Sequence, residues 1–209
     1  MITHDFKTIK RRKIVIAKAP IVFGIAGVAR SGKDTLAKYI HKKLEKNGTI
    51  AAKISFASAV KIDLDGFLKE KLNISAFTEK TEEKNIIRPL LVAYGTDVCR
   101  NNIDKDFWVK KIQKRVETNI KNNIITIIPD VRYKNEIQWI KNLGGYVIHV
   151  SRCGIKPANL EEKANDPIVE KLSDYKLKWK NFSDEKKTCT RHVAELFREN
   201  GWSLYGKFK

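Results

Sequence analysis

Cysteine is scarce: Cys99, Cys153 and Cys189 are the only three in 209 residues. Their odd number and scattered spacing exclude a disulfide framework and a thiolate metal site, and fit a reducing compartment, so cytoplasmic residence is expected. Long apolar runs are missing too. No stretch approaches the roughly 20 residues that span a bilayer, so no membrane partner is expected. The opening MITHDFKTIKRRKIVIAKAP places positive charge before a short apolar run without a small-residue cleavage site, and reads as a basic tail leading into a first strand. There is no internal repeat and no low-complexity linker. Acidic side chains are in deficit, 24 against 42 Lys and Arg, for a net charge of +18. Such an excess suits a nucleic-acid binder, an enzyme of small polyanions, or a lysine-rich bias spread over the whole surface. The spread here is even, so charge alone does not choose.

What is present is enough apolar content, 42% over 209 residues, for one substantial core rather than two. PIVFGIAG (20–27) is β-branched and aromatic up to its closing glycine and reads as a buried strand. TLAKYIHKKLEKNG follows with Leu36, Ile40 and Leu44 on one helical face and Gly48 as a stop. TIAAKISF (49–56) reads as a strand and SAVKIDLDGFLKEKL as a helix, while TEKTEEKN reads as exposed and charged. RPLLVAYGTDVCRN looks helical with Pro89 in a first turn, and Gly95 and Thr96 should interrupt or end it. DFWVKKIQKRVETN, with Asp104 as N-cap, puts Trp108, Ile112 and Val116 on one stripe. NIITIIPDVR (123–132) is the clearest buried strand, YKNEIQWIKNLGG a helix, and YVIHVSR another strand. CGIKPANLEEKANDPIVEKLSDY has no clean period and reads as a flexible flap, before a short strand near YKLKWKN and a final helix CTRHVAELFREN. Alternation of this kind specifies an α/β fold with a central parallel sheet flanked by helices.

GVARSGKDTLA (27–37) lies between the first strand and the first helix. Glycines at 27 and 32 let the backbone wrap, so that amide N–H groups converge on an anion at a helix N-terminus. Gly27, Arg30, Ser31, Gly32, Lys33, Asp34 and Thr35 are the candidate phosphate-binding residues, with Lys33 bridging the β- and γ-phosphates. The usual hydroxyl position holds Asp34, and Thr35 comes one later. Asp34 either faces a cation and its waters or is a first-turn residue favoured by the helix dipole. Asp130 closes IITIIPD at a strand end, where it can orient magnesium or accept a proton; the alternative is an N-cap for the following helix. Asp34, Thr35 and Asp130 are thus the candidate magnesium residues. Transfer to an anionic acceptor needs converging cations, and Arg30, Lys61, Arg88, Arg100, Arg132 and Arg152 stand at element ends. Arg88, Arg132 and Arg152 have the best contexts.

GVARSGKDT, RPLLVAYGTDVCRNNIDKDFWVKK and IIPDVRYKNEIQWIKNLGGYVIHVSR, in this order, resemble the deoxynucleoside monophosphate kinases of bacteriophages. The resemblance covers about residues 21–152. It implies the P-loop nucleoside monophosphate kinase fold as a single domain, with a core at about 20–56, 123–152 and 175–209, an acceptor-binding helical insertion at about 57–120 and a lid at about 153–174. It implies transfer of the γ-phosphate of ATP to a deoxynucleoside monophosphate with Mg2+, in the host cytoplasm for a viral protein. Lys33, Asp130, Arg132 and Arg152 become the catalytic candidates. Lys61, Arg88, Gly95, Thr96, Asp97, Arg100, Trp108 and Arg132 become the acceptor-side set. The partners implied are small-molecule nucleotides, with no specific nucleic acid, and the chain is a monomer or homodimer. In the lid, lysines (Lys156, Lys163, Lys171) replace the arginines usual in this class, and the segment around Asp174 and Asn181 is only weakly similar. Two other readings stand beside this one. A dephospho-coenzyme A kinase would share the loop but lack the GTD and FWV segment, and a basic nucleic-acid-binding ATPase would cluster its cations with exposed aromatics.

Overall fold

Alternating side chains on the three central strands set the layers. The structure, a computed structural model, describes residues 17–19, 21–180 and 185–203. The basic tail before residue 17 and Asn181 lie outside them. In β2 (Val22–Ala26) Phe23 and Ile25 face one layer while Val22 and Ala26 face the other, the period-two signature of a strand buried on both sides. In β4 (Ile125–Val131) and β5 (Tyr146–Arg152), Ile127, Ile148 and Val150 join the first layer, and Ile128, Val131 and Val147 the second.

These strands, with β3 (Ala51–Lys53) and β6 (Tyr175–Trp179), form one all-parallel sheet in the order β3-β4-β2-β5-β6. α1 (Lys33–Lys46) and α7 (Glu185–Glu199) cover one face. Leu36, Ile40 and Leu44 are all fully buried there, each burial contributing roughly 1.5–3 kcal/mol. α2 (Phe56–Leu72), α4 (Phe107–Lys121), α5 (Lys134–Asn142) and α6 (Leu160–Leu172) cover the other. Trp108, Ile112 and Val116 are buried as their stripe predicts. A small separate cluster of Leu68, Ala76 and Ile87 joins α2 to α3 (Thr81–Val92). β1 (Ala17–Lys18) pairs with β7 (Trp202–Ser203) in a two-stranded parallel ribbon.

Several boundaries differ from the sequence reading. The strand expected over 49–56 is only three residues long, because Ser55 already caps α2 by accepting from Ser58 N at 3.1 Å. TEKTEEKN is not merely exposed loop: α3 begins at Thr81, which leaves Pro89 inside the helix rather than in its first turn. Gly95 and Thr96 do not end the helix. It widens into a π-helical segment, Ala93–Ile103, in which Gly95 is buried so close to α2 that a Cβ there would lie 3.2 Å from Val60 Cγ2. α4 is capped at Asp106, two residues beyond the expected Asp104, whose carboxylate instead accepts from Asp106 N and pairs with Lys110. The aperiodic flap contains α6, whose pattern is interrupted by Pro167. Cys99 and Cys189 are buried, Cys153 is exposed, and all three are free. Among the described residues no helix is long and apolar enough to cross a membrane.

Candidate phosphate-binding site

β2, β4 and β5 run parallel, so the segments after Ala26, Val131 and Arg152 emerge on one edge of the sheet, where open α/β folds bind ligands. The loop after β2 is shaped by its glycines. Gly27 has φ 131°, and a Cβ there would fall 2.2 Å from the Val150 carbonyl oxygen of β5. Gly32 has φ 101°, and its Cβ would meet the Trp179 indole nitrogen of β6 at 2.7 Å. Both positions therefore exclude side chains on conformation and on space. Arg30 also takes a left-handed φ of 63°.

Lys33 opens α1 and folds back under the loop. Its ammonium donates to the carbonyls of Gly27 (2.7 Å) and Val28 (2.6 Å), and the side chain is buried. Burial, then repulsion from Arg132, lowers its pKa, while Glu162, Asp34 and Asp130 pull the other way. Ser31 Oγ is buried with no hydrogen-bond partner. Asp34 points outward, exposed, and pairs with Lys53 of β3 at 3.1 Å, and Thr35 is half-buried in the same turn. Asp34 thus stands in the first turn of α1.

Asp130 does act as a cap, but for α2 rather than the helix that follows it. Its carboxylate accepts from Ser55 Oγ (2.9 Å), Phe56 N (3.1 Å) and Ala57 N (2.8 Å). Among the described residues no three His, Cys, Asp or Glu side chains gather as a metal cluster. Arg132, just past β4, reaches across the loop to Glu162 of α6, Nη1 to Oε1 3.0 Å. Glu162 Oε2 also accepts from the loop amide Ala29 N (3.2 Å) and from Ala158 N (3.0 Å). Burial opposes its charge, yet the two amides, Arg132 and Lys33 together hold the carboxyl below the usual range. A narrow cleft lies here, lined by Gly27, Val28, Arg132, Tyr133, Glu161 and Glu162 among others. Arg152, half-buried, ends β5 on the same edge.

The acceptor-side residues are only partly gathered. Arg88 is exposed on α3, and Lys61 lies 5.5 Å over the Phe77 ring. Trp108 is buried, with Nε1 donating to Gly95 O at 2.7 Å, so it braces the π-helical segment from behind. Asp97 is exposed and its carbonyl accepts from Asn102. Arg100 is not a solvated surface cation. Its guanidinium stacks 3.3 Å over the Tyr133 ring and donates to Asn135 Oδ1 (2.6 Å) and Lys105 O (3.0 Å), with Glu136 at 3.6 Å. The Tyr133 ring carries Arg100 of the π-helical segment, and its hydroxyl donates to Glu161 of α6. Tyr133 therefore ties the π-helical segment to α6.

Sequence reasoning passed over Tyr133, Glu136 and Glu162. Glu136 lies in DVRYKNE, within the stretch that carries the resemblance, and Asn159-x-x-Glu162 is a capping pattern: Glu162 N donates to Asn159 Oδ1 at 2.8 Å. Glu136 is fully enclosed and accepts from Arg132 N (2.7 Å) and Tyr133 N (3.1 Å). Burial pushes its carboxyl up to about 7, against those amides and Arg100. A carboxyl raised above its unfolded value, 4.5 for Glu136, contributes stability present below that value and lost as pH rises through the folded one. Stability is therefore expected to fall between pH 4.5 and 7, by up to about 3 kcal/mol, and Glu136→Gln to flatten that slope in denaturant titrations across pH. A slope unchanged in the variant would show that Glu136 ionises normally.

A sequence profile of deoxynucleotide monophosphate kinases matches residues 50–171, from β3 through the π-helical segment to α6. The chain belongs to the deoxynucleotide monophosphate kinase family. It is 34% identical over 108 residues to the deoxynucleotide monophosphate kinase of Enterobacteria phage T4, covering 48% of this chain and 42% of that protein. It is 33% identical over 86 residues to the enzyme of the same name from Escherichia phage RB69, covering 40% and 35%. The matched stretches thus span less than half of those two relatives. Among solved structures, a dephospho-CoA kinase from Campylobacter jejuni superposes with a TM-score of 0.52 at 19% identity, covering 86% of this chain and 98% of that one. That likeness establishes the shared P-loop kinase fold. The GTD and FWV segment falls within the family-matched residues.

Proposed function

We propose that the protein transfers the γ-phosphate of ATP to a deoxynucleoside 5′-monophosphate. The observation that carries this reading is the joining of two things on one sheet edge: a glycine-shaped loop over a buried Lys33, and, within the family-matched residues, a π-helical segment held against Tyr133 by Arg100. The core would be about 20–56, 123–152 and 175–209, the acceptor-binding insertion about 57–120 and the lid about 153–174. Lys33 and the loop amides hold the donor phosphates, where a fixed cation stabilises charge as it shifts in transfer. Arg132 and Arg152 lie on the same edge and bring guanidinium donors to the anionic groups. The π-helical segment with Gly95, Thr96, Asp97 and Arg100, together with Lys61 and Arg88, surrounds the acceptor. Trp108 supports that segment through Gly95.

The loop suits a phosphate: one of its amides already serves a carboxylate oxygen, and Ser31 Oγ is buried beside the Gly27 turn without a partner. Asp34, Thr35 and Asp130 supply the hard oxygen donors that would hold Mg2+ or its waters, and Asp34 and Asp130 both act on the charge of Lys33. When bound, the ion offsets phosphate charge. The protein is incubated with ATP and Mg2+ and offered each deoxynucleoside monophosphate, dephospho-coenzyme A and single-stranded DNA in turn. ADP release is expected with one or more monophosphates. Release only with dephospho-coenzyme A or DNA, or with none, overturns the reading.

A further inference from the structure

The groups that would receive a donor phosphate already hold an anion of the chain itself. Glu162, 9% exposed, presents both carboxylate oxygens to the loop side of α6: Oε2 to Ala29 N, Oε1 to Arg132 Nη1, within the field of Lys33. A loop amide, a guanidinium and a nearby ammonium are the donor set a phosphoryl oxygen takes at a helix N-terminus. The coincidence is built. Asn159 caps the first turn of α6 so that Glu162 points at the loop, Ala158 N gives Oε2 a second donor, and Tyr133–Glu161 and His149–Asp166 (2.9 Å) fasten the rest of the helix.

We propose that Glu162 is an internal competitor for the donor phosphates: its carboxylate and a phosphoryl oxygen contend for Ala29 N and Arg132, and donor binding expels it and shifts the first turn of α6. This rests on reading the loop as the donor site. Two anions cannot share one set of donors, because their repulsion in a cleft poor in water adds to the lost hydrogen bonds. Glu162 keeps the cations around Lys33 neutralised and Arg132 aimed at the loop, and in exchange weakens donor binding. Helix α6 thereby senses the loop: with Glu162 displaced, the attachment of its first turn is lost while the contacts of Glu161 and Asp166 remain.

The test is calorimetric titration of the full chain with ATP and, separately, with inorganic tripolyphosphate, which carries the charge without a nucleoside. Glu162→Gln is expected to bind both about ten-fold more tightly than the natural protein, and Glu162→Asp, too short to reach Ala29, to tighten in the same direction. Hydrogen exchange of the natural protein should show amides 158–163 losing protection when ATP is added. Unchanged or weaker binding by both variants, or unchanged exchange, overturns the proposal while leaving the donor site standing if the natural protein still binds ATP. Failure of natural protein and variants alike to bind either ligand overturns both.

Discussion

Lys33→Ala is expected to reduce phosphoryl transfer about 10³-fold, roughly 4 kcal/mol of transition-state stabilisation, while the fold survives. The size follows from the placement of the ammonium: buried, held 2.6–2.7 Å from two loop carbonyls and surrounded by Arg132, Glu162, Asp34 and Asp130, it acts where water screens little. Survival follows from the same burial. Folding already disfavours the charge on Lys33, so its removal relieves that penalty, and what is lost is two hydrogen bonds to loop carbonyls that solvent can satisfy. Steady-state kinetics with the best monophosphate, alongside thermal unfolding, separates the two. Near-normal turnover would mean that the loop has no part in the chemistry.

Asp130→Asn is expected to act on two quantities at once. The amide replaces one of two acceptor oxygens that serve Ser55 Oγ and the first amides of α2, so one donor faces another, at a cost of about 1–3 kcal/mol in stability. Turnover should also fall, about 10²-fold, with more magnesium needed for half-maximal rate, if the carboxylate orients the ion or takes the proton. Ser55→Ala supplies the control: it removes one hydrogen bond to Asp130 and the cap on Ser58, and should lower stability without altering magnesium dependence. Full activity with an unchanged magnesium requirement in Asp130→Asn would leave the residue as a cap and nothing more.

The parts of the fold legible beforehand are those where one chemical period dominates. β2 and the middles of β4 and β5 are mostly apolar because a parallel sheet covered on both faces buries its central positions, and α1 and α4 carry clean stripes. The loop was legible because its glycines are needed for backbone shape, independent of partners. α6 was hidden by Pro167, and the helix read over RPLLVAYGTDVCRN was started too late at Pro89 and interrupted at Gly95, residues that speak against a helix locally but are tolerated where tertiary contacts compensate, as the Trp108–Gly95 bond does. Side-chain direction was less legible still. Spacing places Asp34 and Asp130 beside the loop, but only packing reveals that one turns to Lys53 and the other to α2. Glu162 lay 133 residues from Ala29, a distance that local patterns do not bridge.

The short β1–β7 ribbon has a consequence for handling the molecule. Residues 17–18 and 202–203 run side by side, and Trp202 packs on Phe23 and Tyr146 at the N-terminal ends of β2 and β5, the edge of the sheet opposite the glycine loop. Fluorophores or surface tethers placed on these two strands therefore sit at the end of the sheet away from the loop. A peptide bridge between them would allow the chain to be circularly permuted with its new ends in a surface turn, leaving the loop, Arg132 and α6 in their native order.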